Sequence, residues 1–288
     1  MVIDFRVRPP FKSFAKLRIY NPRPQNPDPV TASPLFTNIE PPYRSYEETS
    51  IDAFVEELDE AGIDVAVAMG RKAGGPHGSV PYEELVELRD LFPGRFVCFG
   101  GLNGVDVNGA LEDIDRCVDL GFKGAALDNG WSEPPLYDDD ERLYPIYEKC
   151  TERGLIVSLT SSIYVGPDVG YSMPVHIHRV AQKFPDLTIV VPHAAFPWAA
   201  VMCGVAFQRP NVYLIPDIYV NVPGLPGSDD YFRAANGFLS YRFLYGSSYP
   251  VRPLGQSVRS FKTLPFDSDD IRDRCLGGNA ARLLGLTG

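Results

Sequence analysis

Val2-Ile-Asp-Phe-Arg-Val-Arg-Pro-Pro10 opens the chain on an apolar run that ends in two arginines spaced two apart. Val2, Ile3, Phe5 and Val7 read as a buried β-strand. Side chains alternate along a strand, so Arg6 and Arg8 point to the same side at its C-terminal end. Two adjacent guanidiniums repel each other unless something anionic lies between them. In barrel enzymes the C-terminal ends of the strands carry the chemistry.

Runs of this kind recur near 63–69, 95–100, 122–127, 154–160, 187–192, 211–216 and 242–246. Amphipathic stretches alternate with them near 50–61, 81–91, 109–119, 140–153, 174–184, 197–208 and 228–239, and a terminal helical region lies near 268–285. Gly62, Gly121 and Gly154 each stand between a helical pattern and the next strand, where a left-handed C-cap belongs. Eight strands alternating with helices predict an α/β fold, a (β/α)8 barrel of the TIM type, because a doubly wound sheet usually has fewer strands.

One segment breaks the rhythm. Residues 9–49 carry nine prolines interleaved with Arg18, Tyr20, Arg23, Phe36 and Tyr43. So long a connection without regular structure is usually a lid or a linker. Its aromatics favour a packed flap across the barrel mouth, and an interface role suits it equally. With no internal repeat or low-complexity tract, residues 1–288 are expected to form one barrel domain with this insertion after the first strand.

Composition narrows the partners. The apolar fraction of 44% is that of an ordinary globular protein. No run approaches the roughly 18 apolar residues of a membrane span, and the N-terminus lacks the layout of a signal peptide. Cys98, Cys117, Cys150, Cys203 and Cys275 are odd in number and widely spaced. That argues against a disulfide framework or thiolate metal site and for a reducing, cytoplasmic location. A net charge of −10 disfavours nucleic acid and anionic membrane. Arginines gathered at one point of an acidic chain suit a small anionic ligand or internal pairing.

Several phrases together resemble the amidohydrolase-related family, in its aminocarboxymuconate-semialdehyde decarboxylase-like branch. They are Ile3-Asp4, Gly121-Phe122-Lys123-Gly124, Phe184-Pro185-Asp186-Leu187 leading to Pro192-His193 and Pro197-Trp198, Tyr245-Gly246-Ser247-Ser248-Tyr249-Pro250, and Asn279-Ala280-Ala281-Arg282-Leu283-Leu284-Gly285-Leu286. They span the chain in the family's order. The resemblance implies a (β/α)8 enzyme acting on small molecules by metal-assisted hydrolysis or decarboxylation, and commonly a homodimer.

The departures are chemical. Where the family carries His-x-His at the end of strand one, this chain has Arg6 and Arg8; where a further histidine ends strand five, it has Thr160; the aspartate after strand eight is Ser248. A lysine position after the Gly-Phe-Lys-Gly phrase is Ala126. Arginine stays protonated and has no lone pair for a cation, and zinc needs three or four nitrogen, sulfur or carboxylate ligands. No metal and no other cofactor is therefore expected. His193 is the family position that survives, and the resemblance implies an acid/base role for it; its near-neutral intrinsic pKa suits proton transfer.

The remaining candidates follow from strand ends. Arg6 and Arg8 have three readings: a bidentate grip on a substrate carboxylate, pairing with Asp128 or Asp217, or solvation. Asp217 and Tyr219 follow strand seven, and Asp217 orients His193, neutralises an arginine, or is a plain loop acid. Asp128 and Asn129 end strand four. Ser248, Tyr249 and Arg252 lie beyond strand eight, Ser248 as a hydrogen-bond donor and Arg252 as a third cation at the mouth. Gly70-Arg71-Lys72-Ala73-Gly74-Gly75-Pro76-His77-Gly78 does not match a phosphate loop, and most such loops are merely mobile.

Metal-free chemistry limits the substrate. Zinc brings the pKa of bound water from 15.7 to about 7, help worth on the order of 10 kcal/mol at 1.36 kcal/mol per unit. The expected activity is therefore hydrolysis of a reactive lactone or enol ester in a small carboxylated compound, with His193 as base and the arginines on the oxyanion. Decarboxylation of a small carboxylic acid is the alternative. A third reading is a catalytically silent barrel that binds a small molecule.

Overall fold

Seven apolar runs form strands: β1 Ile3–Val7, β2 Val65–Met69, β3 Phe96–Leu102, β4 Gly124–Leu127, β5 Ile156–Leu159, β6 Ile189–Pro192 and β7 Val212–Ile215. Each pairs in parallel with the next, in the order β1-β2-β3-β4-β5-β6-β7. Strands covered on both faces need continuous apolar runs, and Val65-Ala-Val-Ala-Met69 is buried along its whole length. The computed structural model describes residues 1–21, 28, 30, 32–33, 35, 38–40, 43–222 and 224–286. Of the insertion's predicted features, Pro22, Pro24, Pro27, Pro29, Pro34, Pro41, Pro42, Arg23 and Phe36 lie outside the described residues.

The fold is a (β/α)8 barrel of the TIM type, with one correction. The expected eighth strand, 242–246, forms no regular ladder. It closes the barrel through single contacts: Leu244 N donates to Leu214 O and Phe5 N to Tyr245 O, both at 2.9 Å, and Phe243 and Tyr249 bridge Leu214 and Val7. Side-chain chemistry interrupts the pairing. The Asp4 carboxylate accepts from Ser247 N at 2.9 Å and Arg6 N at 3.1 Å, in place of ladder bonds. Gly246 lies so close to β1 and β7 that a Cβ there would stand 2.8 Å from Ile215 Cγ2 and 3.1 Å from Arg6 Cβ.

The same irregularity aims the arginines. Ile3 and Phe5 belong to the side chains that fill the barrel interior, with Val67, Phe99, Val190, Ile215 and Leu244. Val7 instead packs into the outer core between sheet and helices. The register of β1 shifts between Asp4 and Val7, and the inward direction passes from odd to even positions. Arg6 and Arg8 therefore both face the C-terminal mouth.

Helices fall where the apolar spacing predicts them: Ile51–Ala61, Tyr82–Leu91, Val107–Asp119, Tyr144–Glu152, Pro174–Lys183, Ala199–Gln208 and Asp229–Ala235. Gly62, Gly121 and Gly154 all take positive φ after their helices. Leu254–Lys262 is a helix the sequence reading passed over, buried through Leu254, Ser257, Val258 and Phe261. The terminal region divides into Asp269–Asp273, a π-helical turn Arg274–Gly278, and Asn279–Leu284. Among the described residues no helix is long and apolar enough to cross a membrane. All five cysteines are buried and unpaired.

Asp4 gives the closing seam a pH dependence. Burial pushes its carboxyl up to about 7, against the hydrogen bonds from Ser247 and Arg6. A carboxyl that binds its proton more tightly when folded favours the fold below the ordinary carboxylate pKa of about 3.9; that favour is lost as pH rises through the folded value. Thermal melts are expected to show the wild type losing stability between pH 5 and pH 8, and Asp4→Asn flattening that loss. Equal pH dependence in the two proteins would contradict the assignment.

Candidate active site

β6 ends in Pro192 and delivers His193 to the mouth. His193, Ala194 and Ala195 all have positive φ, at 66°, 44° and 57°, and Asp217, just past β7, has φ 43°. Non-glycine residues held there are strained and cluster at functional sites. The contorted turns bring the two side chains together. His193 Nδ1 is 3.0 Å from Asp217 Oδ1 and 2.9 Å from Oδ2. Asp217 is further fixed by Ile218 N, which donates to Oδ1 at 2.6 Å, and by His193 N, which donates to Oδ2 at 3.3 Å.

On the other side of the ring, Arg6 Nη2 lies 3.3 Å from His193 Nε2. Carboxylate accepts and guanidinium only donates. Those partners assign the proton to Nδ1 and leave a lone pair on Nε2. Burial lowers the imidazole pKa; Asp217 opposes this, while Arg6 and Arg8 reinforce it, and the net direction is down. His193 is therefore neutral at neutral pH, with its basic nitrogen beside a cation.

The arginines are not solvated. Arg6 is 2% exposed and Arg8 7%. Arg8 Nη2 stands 3.5 Å from Asp128 Oδ2, the same oxygen that accepts from Arg71 Nε at 2.7 Å. Burial penalises the Asp128 charge, yet Arg71, Arg8 and Arg6 together outweigh it and hold the carboxyl far below its usual range. Among the described residues Arg6 Nε, Arg8 Nε and Asp128 Oδ1 have no hydrogen-bond partner. Of the internal pairings open to the two arginines, Arg8–Asp128 forms; Arg6 goes to the imidazole.

These groups border a cavity of about 610 Å³, whose wall includes Arg6, Arg8, His193, Ser248 and Tyr249. The Tyr249 hydroxyl lies 2.8 Å from Ser45 Oγ. Five expected residues are off the wall: Asp128 is held by Arg8 and Arg71, Asp217 is held by His193, and the other three lie elsewhere. Thr160 ends β5 with its backbone N donating to Leu127 O, and is buried off the wall. Tyr219 packs edge-to-face on the imidazole at 5.9 Å and stacks on Phe196 at 4.2 Å, behind His193. Val251 takes the wall position beyond strand eight, and Arg252 turns to the insertion, where Nη1 donates to Asn38 O at 3.1 Å.

The sequence reading missed a further group on the cavity wall, Arg71 with Trp131 and His77. The glycine-rich loop after β2, expected to be mobile, buries Arg71 to 3% exposure. Gly101 makes that possible, since a Cβ there would stand 2.2 Å from the Arg71 carbonyl carbon. The Arg71 guanidinium lies over the Trp131 ring at 4.7 Å, and His77 stacks on the same indole at 5.1 Å. Trp131 is fixed by its Nε1 donating to Tyr164 O at 2.8 Å. Arg18 and Ile19 of the insertion complete this side of the wall. An Arg–Trp contact between two loops has no spacing signature; the available signal was an arginine bracketed by glycines directly after a strand.

The donor set does not fit a divalent metal. Arg6 and Arg8 offer only N–H groups, and Asp217 and His193 Nδ1 already satisfy each other. Among the described residues no three His, Cys, Asp or Glu side chains gather where they could hold an ion.

Comparison with known proteins bears on this geometry. The amidohydrolase family profile matches residues 26–286. A 2-amino-3-carboxymuconate-6-semialdehyde decarboxylase from Dictyostelium discoideum is 25% identical over 226 residues, covering 67% of this chain and 62% of that protein. The chain thus spans less than two thirds of that relative's length. An uncharacterized TIM-barrel protein from Bordetella bronchiseptica superposes with a TM-score of 0.89 at 37% identity, over 99% of this chain and 98% of that one. A dihydroxybenzoic acid decarboxylase from Polaromonas, solved with manganese and 2-nitroresorcinol, shares the fold at TM-score 0.65 and 20% identity, over 85% of this chain and 91% of that one.

Proposed function

We propose, because this chain belongs to the amidohydrolase family, that it is a metal-independent carboxy-lyase for a small aromatic or enolic acid carrying a hydroxyl beside the carboxylate. The sequence alone put hydrolysis first; the named chemistry of the Dictyostelium relative supports decarboxylation better. One observation carries the reading: a neutral imidazole whose Nε2 lone pair stands beside the buried Arg6 guanidinium.

The steps follow from that pair. The substrate hydroxyl gives its proton to His193 Nε2, and Arg6 holds the resulting oxyanion. Electrons pushed into the ring let the carbon bearing the carboxylate take the proton back from His193. The carbon–carbon bond then breaks, its electron pair returns to the ring, and CO2 leaves. The phenolate product takes a proton from solvent, so each turnover consumes one proton. Asp217 keeps Nδ1 protonated throughout and stabilises the transient imidazolium. Arg8 and Ser248 orient the anion. The insertion serves as a lid: Arg18 and Ile19 face the cavity, and Tyr20 Oη donates to Arg8 O at 2.5 Å.

The test is CO2 release from 2-hydroxybenzoate and 2-hydroxybenzene-1,3-dicarboxylate. Stoichiometric CO2 and phenol products are expected. Opening of a lactone without any CO2 from these acids would restore hydrolysis as the activity, since the same neutral base can also activate water. Binding with no turnover of either class would make the barrel a silent binder.

The pH profile is a second readout. His193 must be neutral to accept the proton, and its pKa lies below the ordinary imidazole value. The acid limb of kcat/KM is therefore expected below about pH 6.5, with activity rising as pH increases through it. An acid limb above the ordinary value would contradict the assigned neutral state.

A further inference from the structure

The helix Ala199–Gln208, between β6 and β7, reads Ala-Ala-Val-Met-Cys-Gly-Val-Ala-Phe-Gln and has no charged side chain. One face fills the core through Ala199, Met202, Cys203, Val205 and Ala206. The opposite face is just as apolar, yet it is open. Ala200, Val201, Gly204 and Phe207 are exposed there, Phe207 at 69% and Val201 at 57%. A helix on the outside of a barrel ordinarily turns charged and polar residues to water. The exposed Phe238 extends the stripe, edge-to-face on Phe207 at 5.0 Å.

Gly204 lies in the middle of this stripe. Glycine inside a helix weakens it relative to alanine. No packing within the chain asks for it, since a Cβ at Gly204 would meet no neighbour within 4 Å. With Ala200 one turn before, it leaves a shallow notch where another helix can come close. We infer that this face docks a second copy of the chain, with the two Ala199–Gln208 helices side by side about a two-fold axis.

The flanks favour a second copy and set its orientation. Ala199–Gln208 packs between the helices Pro174–Lys183 and Asp229–Ala235. The first carries Arg179, Lys183 and two histidines but no acid; the second opens with Asp229 and Asp230. Arg179 pairs with Asp139 and Arg233 with Asp230, while Lys183 and Asp229 have no ion pair within the chain among the described residues. A two-fold axis across the helix would set each cationic flank against its own copy. An axis along the helix sets it against the acidic flank of the partner, and equivalent residues of the stripe then meet. A stable dimer needs about 800 Å² from each copy. One ten-residue helix supplies less, so the contact extends over both flanks, where these charges lie.

The inference is independent of the reaction, and sedimentation of the full-length protein tests it. A dimer with Kd below about 10 μM is expected. Phe207→Asp and Gly204→Arg are each expected to weaken it by about 100-fold or more, with circular dichroism as the folding control. Gly204→Cys supplies a second readout, because the five native cysteines are buried. A disulfide needs Cα atoms within about 7 Å, so oxidation is expected to link this variant into covalent dimers. Leu91→Cys, exposed on another helix, should stay unlinked. Wild-type protein that is monomeric at about ten times that Kd would overturn the inference, as would a dimer that both substitutions leave intact. Leu91→Cys linking as fast as Gly204→Cys would overturn it too. Wild-type association and the cross-link decide the matter should the charged variants misfold.

Discussion

Replacing His193 with glutamine is expected to lower kcat for CO2 release by about 10²- to 10⁴-fold while the protein stays folded. Glutamine can occupy the space beside Arg6 but cannot take up and return a proton. Asp217→Asn is expected to approach the same loss for a different reason. The amide can donate to Nδ1 as well as accept from it, so it no longer fixes the lone pair on Nε2 or stabilises the imidazolium. The pair acts as a unit, and the double variant should lose little more than His193→Gln alone. Steady-state kinetics on the three proteins, with circular dichroism as a folding control, checks this. Full activity in His193→Gln would remove the imidazole from the mechanism.

Asp128→Asn is expected to be the most destabilising single change at the site, by about 3–5 kcal/mol. Among the described residues the carboxylate is the one acid that Arg71 and Arg8 share by direct contact. Its removal leaves neighbouring buried guanidiniums facing each other without a counter-charge. The sign of its pH dependence is opposite to that of Asp4. Its folded pKa is depressed, so its contribution is present above the unfolded value of about 3.9 and is lost only as pH falls through the much lower folded value. The deficit of Asp128→Asn should therefore be equal at pH 5 and pH 8. Denaturant unfolding at both values measures it; a deficit under about 1 kcal/mol would mean that the arginines find other partners.

The barrel was legible because its strands are short apolar runs with glycine-capped helices before them, and those signals are local. Strand eight was legible as an apolar run and not as an irregular one. Its pairing is broken by Asp4, more than two hundred residues away in sequence. The helix Leu254–Lys262 does carry apolar residues at helical spacing, obscured by Pro250 and Pro253 on one side and Pro265 on the other. At the site, strand-end positions led to Arg6, Arg8, His193 and Asp217 because side-chain alternation and strand direction fix where such residues point. Arg71, Trp131 and His77 meet only through loop packing. Thr160, Tyr219 and Arg252 share the right elements, but rotation about the last strand residue decides between the wall and the second layer.

Guanidinium groups beside a lone imidazole in place of a coordinated ion form the centre of this account, and metal dependence tests it most directly. CO2 release should be measured on protein exhaustively treated with chelator, alongside elemental analysis of the same sample. Unchanged kcat with no stoichiometric zinc, manganese or iron is the predicted result. Activity that disappears on chelation and returns with one of those ions would contradict it.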